Sequence, residues 1–299
     1  MYKNLKQLMD EAQALDYTVG AFNAHNLEMV PSMITAAKDA GSPIIIQTSV
    51  ATAEYVGMKN FVAVCKSMAQ DLLVDVDLHL DHAKSFDAIK EAIDAGYSSV
   101  MFDGSALPNK ENMERARRVA DYAHEHGVSV ECEIGTIGGT EEGVTVKEGR
   151  YTDPQQAIAF LNNLDVEALA VGVGTHHGQF KSKTELNWPL IEELHKEISK
   201  PMVIHGGTGV NEADYHRLTE NGFRKFNVGT ELLVGWTRKA KEMFGQTEVN
   251  NSLRNNIEPC NQVVYDIVKH KSGLFLNKDA EVPINAEVGK SVTRLEVDV

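Results

Sequence analysis

Eight times between Tyr17 and Phe244 the chain repeats one pattern: a short run rich in β-branched and apolar residues, then a longer stretch whose apolar side chains recur at helical spacing. The runs at 17–23, 43–49, 74–82, 98–103, 128–134, 168–174, 200–205 and 225–230 read as strands. Those at 27–40, 58–71, 85–95, 109–126, 153–161, 188–199, 213–221 and 231–244 read as helices, three of them stopped by Gly41, Gly96 and Gly127. Parallel neighbours need a crossover between them, and a helix usually supplies it. Eight such units in unbroken series predict an α/β protein, a single (β/α)8 TIM barrel over residues 1–275. The span includes an extra C-terminal helix within 250–275, and residues 276–299 read as a C-terminal arm or tail. A doubly wound open sheet is the alternative, although it more often carries fewer strands.

The chain has 299 residues, 42% hydrophobic and 24% charged, enough for one large barrel and far from a disordered or fibrous composition. With 43 acidic against 29 basic residues its formal charge is -14, which argues against nucleic acid or an anionic membrane as partner. Cys65, Cys132 and Cys260 are far apart with no CxxC, and residues 1–4 lead into a polar helical pattern without an apolar signal region. No apolar run approaches the roughly 20 residues of a membrane span. These features predict a cytoplasmic protein with free thiols.

Chemistry in a parallel barrel gathers at the C-terminal ends of the strands, where loops vary over a fixed sheet. The third strand ends in Asp81-His82, the sixth runs into His176-His177 and the seventh ends at His205. These ends ring one mouth, so His82, His177 and His205 can converge although they are distant in sequence. Three neutral imidazoles with an open fourth position are the donor set of a catalytic zinc. Any one of the 11 histidines more often packs or caps a helix; three at strand ends favour the metal. His79 has the alternation of an inward barrel residue, His176 points away from its neighbour, and neither they nor His25 are assigned as ligands.

Glycines mark a second corner of the mouth. Gly206-Gly207-Thr208-Gly209 follows the seventh strand and Asn227-Val228-Gly229-Thr230 closes the eighth, a frequent phosphate site in such barrels because bared amides and a helix N-terminus meet there. Gly178 and Lys181, after strand six, can add an amide and a cation. The connection from Gly135 to Thr152 exceeds the usual 2 to 6 or so residues, holds Gly138-Gly139 and Gly143, and is a candidate lid.

Seven collinear segments carry a resemblance. They are Ala21-Phe22-Asn23, Leu78-His79-Leu80-Asp81-His82, Met101 to Ser105, Glu131-Cys132-Glu133-Ile134-Gly135 with Gly138-Gly139, Gly174 to Gly178, Ile204 to Gly209, and Asn227 to Leu232. Together they resemble the class II, zinc-dependent ketose-bisphosphate aldolases, closer to the tagatose-bisphosphate branch, over roughly residues 1 to 270. The resemblance implies reversible cleavage of a ketose 1-phosphate or 1,6-bisphosphate to dihydroxyacetone phosphate and an aldehyde, through an enediolate. It implies His82, His177 and His205 as Zn2+ ligands, and Asp81 as the acid/base for the aldol alcohol. Glu141 becomes the mobile group that exchanges the C3 proton, and Asp103 and Glu133 carboxylates that hold zinc in an inward resting position. Asn23 and Ser49 match substrate contacts, while Gly178, Lys181, Gly206, Gly207, Thr208, Asn227, Val228, Gly229 and Thr230 match the phosphate cradle. A monovalent cation, Na+ or K+, beside the phosphate and a homodimer or homotetramer are further implications.

The departures concern the aldehyde half. Leu233 stands where the fructose-bisphosphate branch has an Arg and the tagatose branch tends to a Lys, the cation that receives the distal phosphate. Ala106-Leu107-Pro108-Asn109 replaces a His-rich loop, and His176 a small residue. These changes predict an unusual far end, deoxy, acidic or sulfonated, with Arg254 or Lys271 as substitute cations. Two other functional classes stand as alternatives. A non-catalytic aldolase-like partner subunit has no reason to retain Asp81 with all three histidines, and a metal-dependent barrel hydrolase needs a bridging carboxylate or lysine pattern that is not found.

Overall fold

The computed structural model describes residues 1–141, 144–146, 149–178, 184–246 and 252–276, with the side chains of residues 140–141 and 144–146 outside that description. Eight parallel strands close a barrel in sequential order: β1 Val19–Asn23, β2 Ile44–Ser49, β3 Val76–Ala83, β4 Ser99–Phe102, β5 Ser129–Ile134, β6 Ala168–Val171, β7 Met202–Ile204 and β8 Phe223–Val228. Closure runs through β1, which pairs with β2 on one side and β8 on the other. The expected (β/α)8 barrel is thus the fold. Gly41 and Gly96 cap their helices in the left-handed conformation, at φ 69° and 104°.

Strand alternation sorts the side chains into two cores. On β3, Val76, Leu78 and Leu80 face the surrounding helices and join the large outer core. Asp77, His79 and Asp81, on the opposite face, are equally buried inside the barrel. The floor of the barrel is apolar: Val19, Ala21, Ile45, Ala168, Ala170 and Val203 pack with Leu5, Leu8, Met9 and Ala12 of the helix Leu5–Leu15. That helix begins with a capping box between Asn4 and Gln7, and it leaves the other end of the barrel as the one open to substrate.

The C-terminal helix Arg254–Phe275 packs on the helices Met29–Ala40 and Thr230–Phe244. Its last turn reaches the barrel, where Phe275 stacks with Tyr215 and Phe226 at centroid distances of 5.0 and 4.9 Å. Lys271 is fixed there by Glu212 and the Tyr215 hydroxyl, each 3.0 Å from Nζ, so it is a structural tie and not the substitute cation the sequence suggested. The arm at 277–299 lies outside the described residues.

Two elements differ from the sequence reading. A short helix, Val50–Val56, follows β2 directly, capped by Ser49. The long connection after β5 contains an antiparallel pair, Gly138–Glu141 with Val144–Val146, and its first strand also pairs in parallel with His176–His177. Gly139 has φ 110°, and a Cβ there would lie 2.1 Å from the His177 carbonyl oxygen. Its lack of a side chain therefore lets this segment run alongside a candidate ligand.

Candidate metal centre and substrate cavity

His82 ends β3 with φ 50°, a left-handed conformation costly for a residue with a Cβ. The turn swings its ring toward the barrel axis, where it meets His177 and His205 at centroid distances of 5.2 and 4.6 Å. One ring nitrogen from each of the three lies within 4.8 Å of the others. The structure thus brings together the three histidines picked out at strand ends. His82, Asp103 and Glu133 form a second such group that shares His82.

The outer hydrogen bonds settle which nitrogens face inward. His205 Nε2 lies 2.8 Å from Glu131 Oε1. Burial pushes the Glu131 carboxyl up, but the Lys225 ammonium and His205 override it and hold it well below the usual carboxylate range. An ionised carboxylate only accepts, so His205 Nε2 carries the hydrogen and Nδ1 the lone pair. Likewise His82 Nδ1 is 3.3 Å from Asp103 Oδ2. Burial raises Asp103, yet His82 and the Ser105 hydroxyl and amide hold it well below its ordinary value. Two lone-pair nitrogens, His205 Nδ1 and His82 Nε2, then face each other at 2.9 Å, with Glu133 Oε2 3.5 Å from His205 Nδ1. Such a convergence of acceptors calls for a cation, and the donor set fits a divalent metal bound by imidazoles. Burial lowers the His205 pKa, which keeps the ring neutral as a ligand must be. Burial and the neighbouring Asp103 push Glu133 up to about 8.

Under the histidines lies a buried polar layer. Lys225 Nζ reaches Glu131 Oε2 at 2.9 Å and Asn227 Oδ1 at 2.8 Å, with Lys225 and Glu131 both fully buried. His79 is held by the Ser99 hydroxyl at 2.7 Å and stays off the metal group, as its alternation implied. Asp77 accepts from Ser98 and Ser99 at 2.7 and 2.6 Å, and burial pushes its carboxyl up to about 7.

Above the histidines opens a cavity of about 380 Å³, whose lining includes Asn23, Ser49, Asp81, Glu133, Gly139 and His177. Asp81 is 2% exposed. Its Oδ2 accepts from Asn23 Nδ2 and Gln47 Nε2, both at 3.1 Å, while Oδ1 has no hydrogen-bond partner among the described residues. A buried carboxylate oxygen left open beside a metal group is a costly arrangement in a site without a substrate proton to meet.

The phosphate corner is a separate part of the mouth. Gly206 has φ 65°, and a Cβ there would strike the His176 backbone at 2.4 Å. Gly207 and Thr208 continue into a single 3-10 turn, and the helix Thr230–Phe244 starts after Val228 and Gly229 with no side-chain cap. Asn227 Nδ2 is buried without a partner among the described residues. The two parts meet at Asn23, which bonds Asp81 and whose Oδ1 would lie 2.8 Å from a Cβ on Gly229. Gly178 follows the strand His176–His177 with φ 85°. Lys181 and the Glu141 side chain lie outside the described residues.

Comparisons with known proteins bear on the family and the fold. A family model described as "Fructose-bisphosphate aldolase class-II" matches residues 3–280. A sulfofructosephosphate aldolase of Alkalicoccus urumqiensis is 38% identical over 276 residues, 92% of this chain and 96% of the relative. A fructose-bisphosphate aldolase of Staphylococcus aureus is 33% identical over 271 residues, 90% of this chain and 95% of that one. Among solved structures, the YdjI aldolase of Escherichia coli K12 superposes with a TM-score of 0.81 at 29% identity, covering 92% of this chain and 97% of that one.

Proposed function

Because the chain belongs to the class-II fructose-bisphosphate aldolase family and is a carbon–carbon lyase, we propose that it reversibly splits a ketose 1-phosphate into dihydroxyacetone phosphate and an aldehyde with an anionic far end. The observation that carries the proposal is Asp81 Oδ1, buried, without a partner among the described residues and facing the cavity beside the three histidines. His82, His177 and His205 would hold Zn2+, which when bound supplies a Lewis acid for the ketose carbonyl. Asp81 Oδ1 takes the proton of the C4 hydroxyl as the C3–C4 bond breaks, and the bond's electron pair stays with the dihydroxyacetone phosphate half as its enediolate. Asn23 and Gln47 hold the Asp81 carboxylate in place through its other oxygen. Glu141 returns a proton to C3. The amides and side chains of Gly178, Gly206, Gly207, Thr208, Asn227, Val228, Gly229 and Thr230, with Lys181, would cradle the phosphate, and a bound Na+ or K+ would add positive charge there.

The far end follows from Leu233, which is 43% exposed and brings no charge to the position where the family carries a cation. A sulfonated or other 6-modified ketose 1-phosphate is therefore preferred to fructose or tagatose 1,6-bisphosphate, a reading that the name of the Alkalicoccus relative supports. The enzyme works as a homodimer or homotetramer in the cytoplasm; its three cysteines are free and buried, and no helix among the described residues is long and apolar enough to cross a membrane. The test is the rate of dihydroxyacetone phosphate release from a panel of ketose 1-phosphates with sulfonate, carboxylate, phosphate or hydroxyl at C6. Highest kcat/KM with a 6-modified anion agrees with the proposal. A bisphosphate at about 10⁶ M⁻¹s⁻¹ or more with the others well below would restore the ordinary assignment.

A further inference from the structure

If the aligned position is apolar, the charge that meets the far end must come from elsewhere in the cavity. Part of its lining comes from the ends of two adjacent strands and the segments after them: Ser49, Val50 and Ala51 at β2, and Lys84, Ser85 and Ala88 at β3. The strands pair so that Ser49 lies opposite Asp81, so this part of the lining borders the carboxylate that, in the reading above, meets the C4 hydroxyl of the aldehyde half. Among the side chains deeper in the cavity, the Asp81 and Asp103 carboxylates offer an anionic far end no partner. Lys84 is the one Lys or Arg among the described lining residues. It is exposed and makes no ion pair with any described residue. Arg150, another cation among the described residues near this mouth, is already bonded to the Ser105 carbonyl at 2.8 Å and the Thr136 hydroxyl at 3.4 Å and does not line the cavity.

We infer that Lys84 is the specificity-determining residue for the aldehyde half, pairing with the terminal anion of the ketose 1-phosphate; the inference rests on the lyase reading above. A lysine suits the task because its flexible four-carbon stem and compact charge can follow a tetrahedral sulfonate or phosphate without demanding one planar geometry. Its pairing with a substrate that fills the cavity is a charge-assisted contact shielded from water on one side, which sets the size of the effect at roughly 10–100-fold in relative kcat/KM.

The experiment compares wild type, Lys84→Met and Lys84→Arg on three ketose 1-phosphates that differ only at C6, carrying sulfonate, phosphate or hydroxyl. The quantity read is the ratio of kcat/KM for each anionic substrate to that for the hydroxyl compound. Lys84→Met should lower this ratio roughly 10–100-fold, chiefly through KM, and Lys84→Arg should keep it within about threefold. A larger loss for sulfonate than for phosphate identifies sulfonate as the group the site is built for, and the reverse identifies phosphate. A ratio unchanged within about twofold in Lys84→Met overturns this inference alone. Failure of wild type to cleave any of the three overturns the lyase reading and this inference with it.

Discussion

Replacing Lys225 with Met should destabilise the barrel strongly, and the structure fixes both the size and the remedy. Lys225 and Glu131 are 0% exposed, with Nζ 2.9 Å from Oε2. Methionine matches the stem but leaves the Glu131 carboxylate buried with only His205 as its neutral donor, and Asn227 Oδ1 without the bond it accepts. Breaking one partner from a buried pair costs about 3–5 kcal/mol, mostly because the remaining charge is uncompensated. The protein has a partial escape: His205 can take up a proton and become the missing cation, which removes its inward lone pair. Denaturant unfolding of the metal-stripped protein should therefore show a loss of about 3–5 kcal/mol, and metal retention of Lys225→Met should fall more steeply with decreasing pH than that of wild type. Adding Glu131→Gln removes the stranded charge, so the double variant should be more stable than Lys225→Met. A loss below about 1 kcal/mol, or a double variant that is simply the sum of both losses, would refute the reasoning.

Asp81→Ala should reduce cleavage by at least about 10³-fold with metal content unchanged, since the carboxylate faces the substrate and belongs to neither metal group; loss of metal in the variant would assign Asp81 a different task. Glu141→Ala should slow exchange of the C3 proton of dihydroxyacetone phosphate far more than it changes metal content, and an unaltered exchange rate would show that another base serves C3. Asp77, pushed by burial from an ordinary 3.8 up to about 7, is more readily protonated in the folded than in the unfolded chain. Its stabilising contribution is complete below about pH 4 and disappears as pH rises through about 7, a change on the order of 4 kcal/mol. Asp77→Asn should therefore gain stability relative to wild type between pH 5 and 8 in denaturant titrations, and a difference independent of pH would contradict the burial argument.

The barrel was legible because each strand and helix announces itself through local periodicity, and eight units in series leave few topologies. The three histidines were legible because a strand end is a place in the fold as well as in the sequence. What escaped was set by contacts across the barrel. Glu131 and Lys225 are as buried as the apolar residues beside them, and their meeting depends on the tilt and register of β5 and β8. Their signal was present, since Glu131 alternates with Glu133 and Lys225 with Asn227 while Val130, Cys132, Phe226 and Val228 beside them are apolar, so polar residues at inward positions should be expected to find one another. The antiparallel pair at 138–146 was hidden in a stretch where the glycines suggested a hinge. Their task at His177 is close approach, visible only when the neighbouring segment is in place. The short helix after β2 was missed because Val50, Thr52 and Val56 lower local helix propensity, while its packing against β2, β3 and the helix Met58–Leu72 supports it. Lys271 looked like a free cation because the acids it meets, Glu212 and Glu231, lie far away in sequence.

The central claim is that His82, His177 and His205 hold a metal beside Asp81 and that dihydroxyacetone phosphate bound at this site gives up its C3 proton to Glu141. The direct measurement is deuterium uptake at C3 from heavy water, followed by NMR with dihydroxyacetone phosphate as sole substrate. It is made on protein of known metal content before chelation, after chelation and after return of zinc. Uptake at one of the two C3 hydrogens, lost on chelation and restored by about one zinc per chain, is the predicted result. Full uptake by metal-free protein, or none by zinc-loaded protein, would contradict the account.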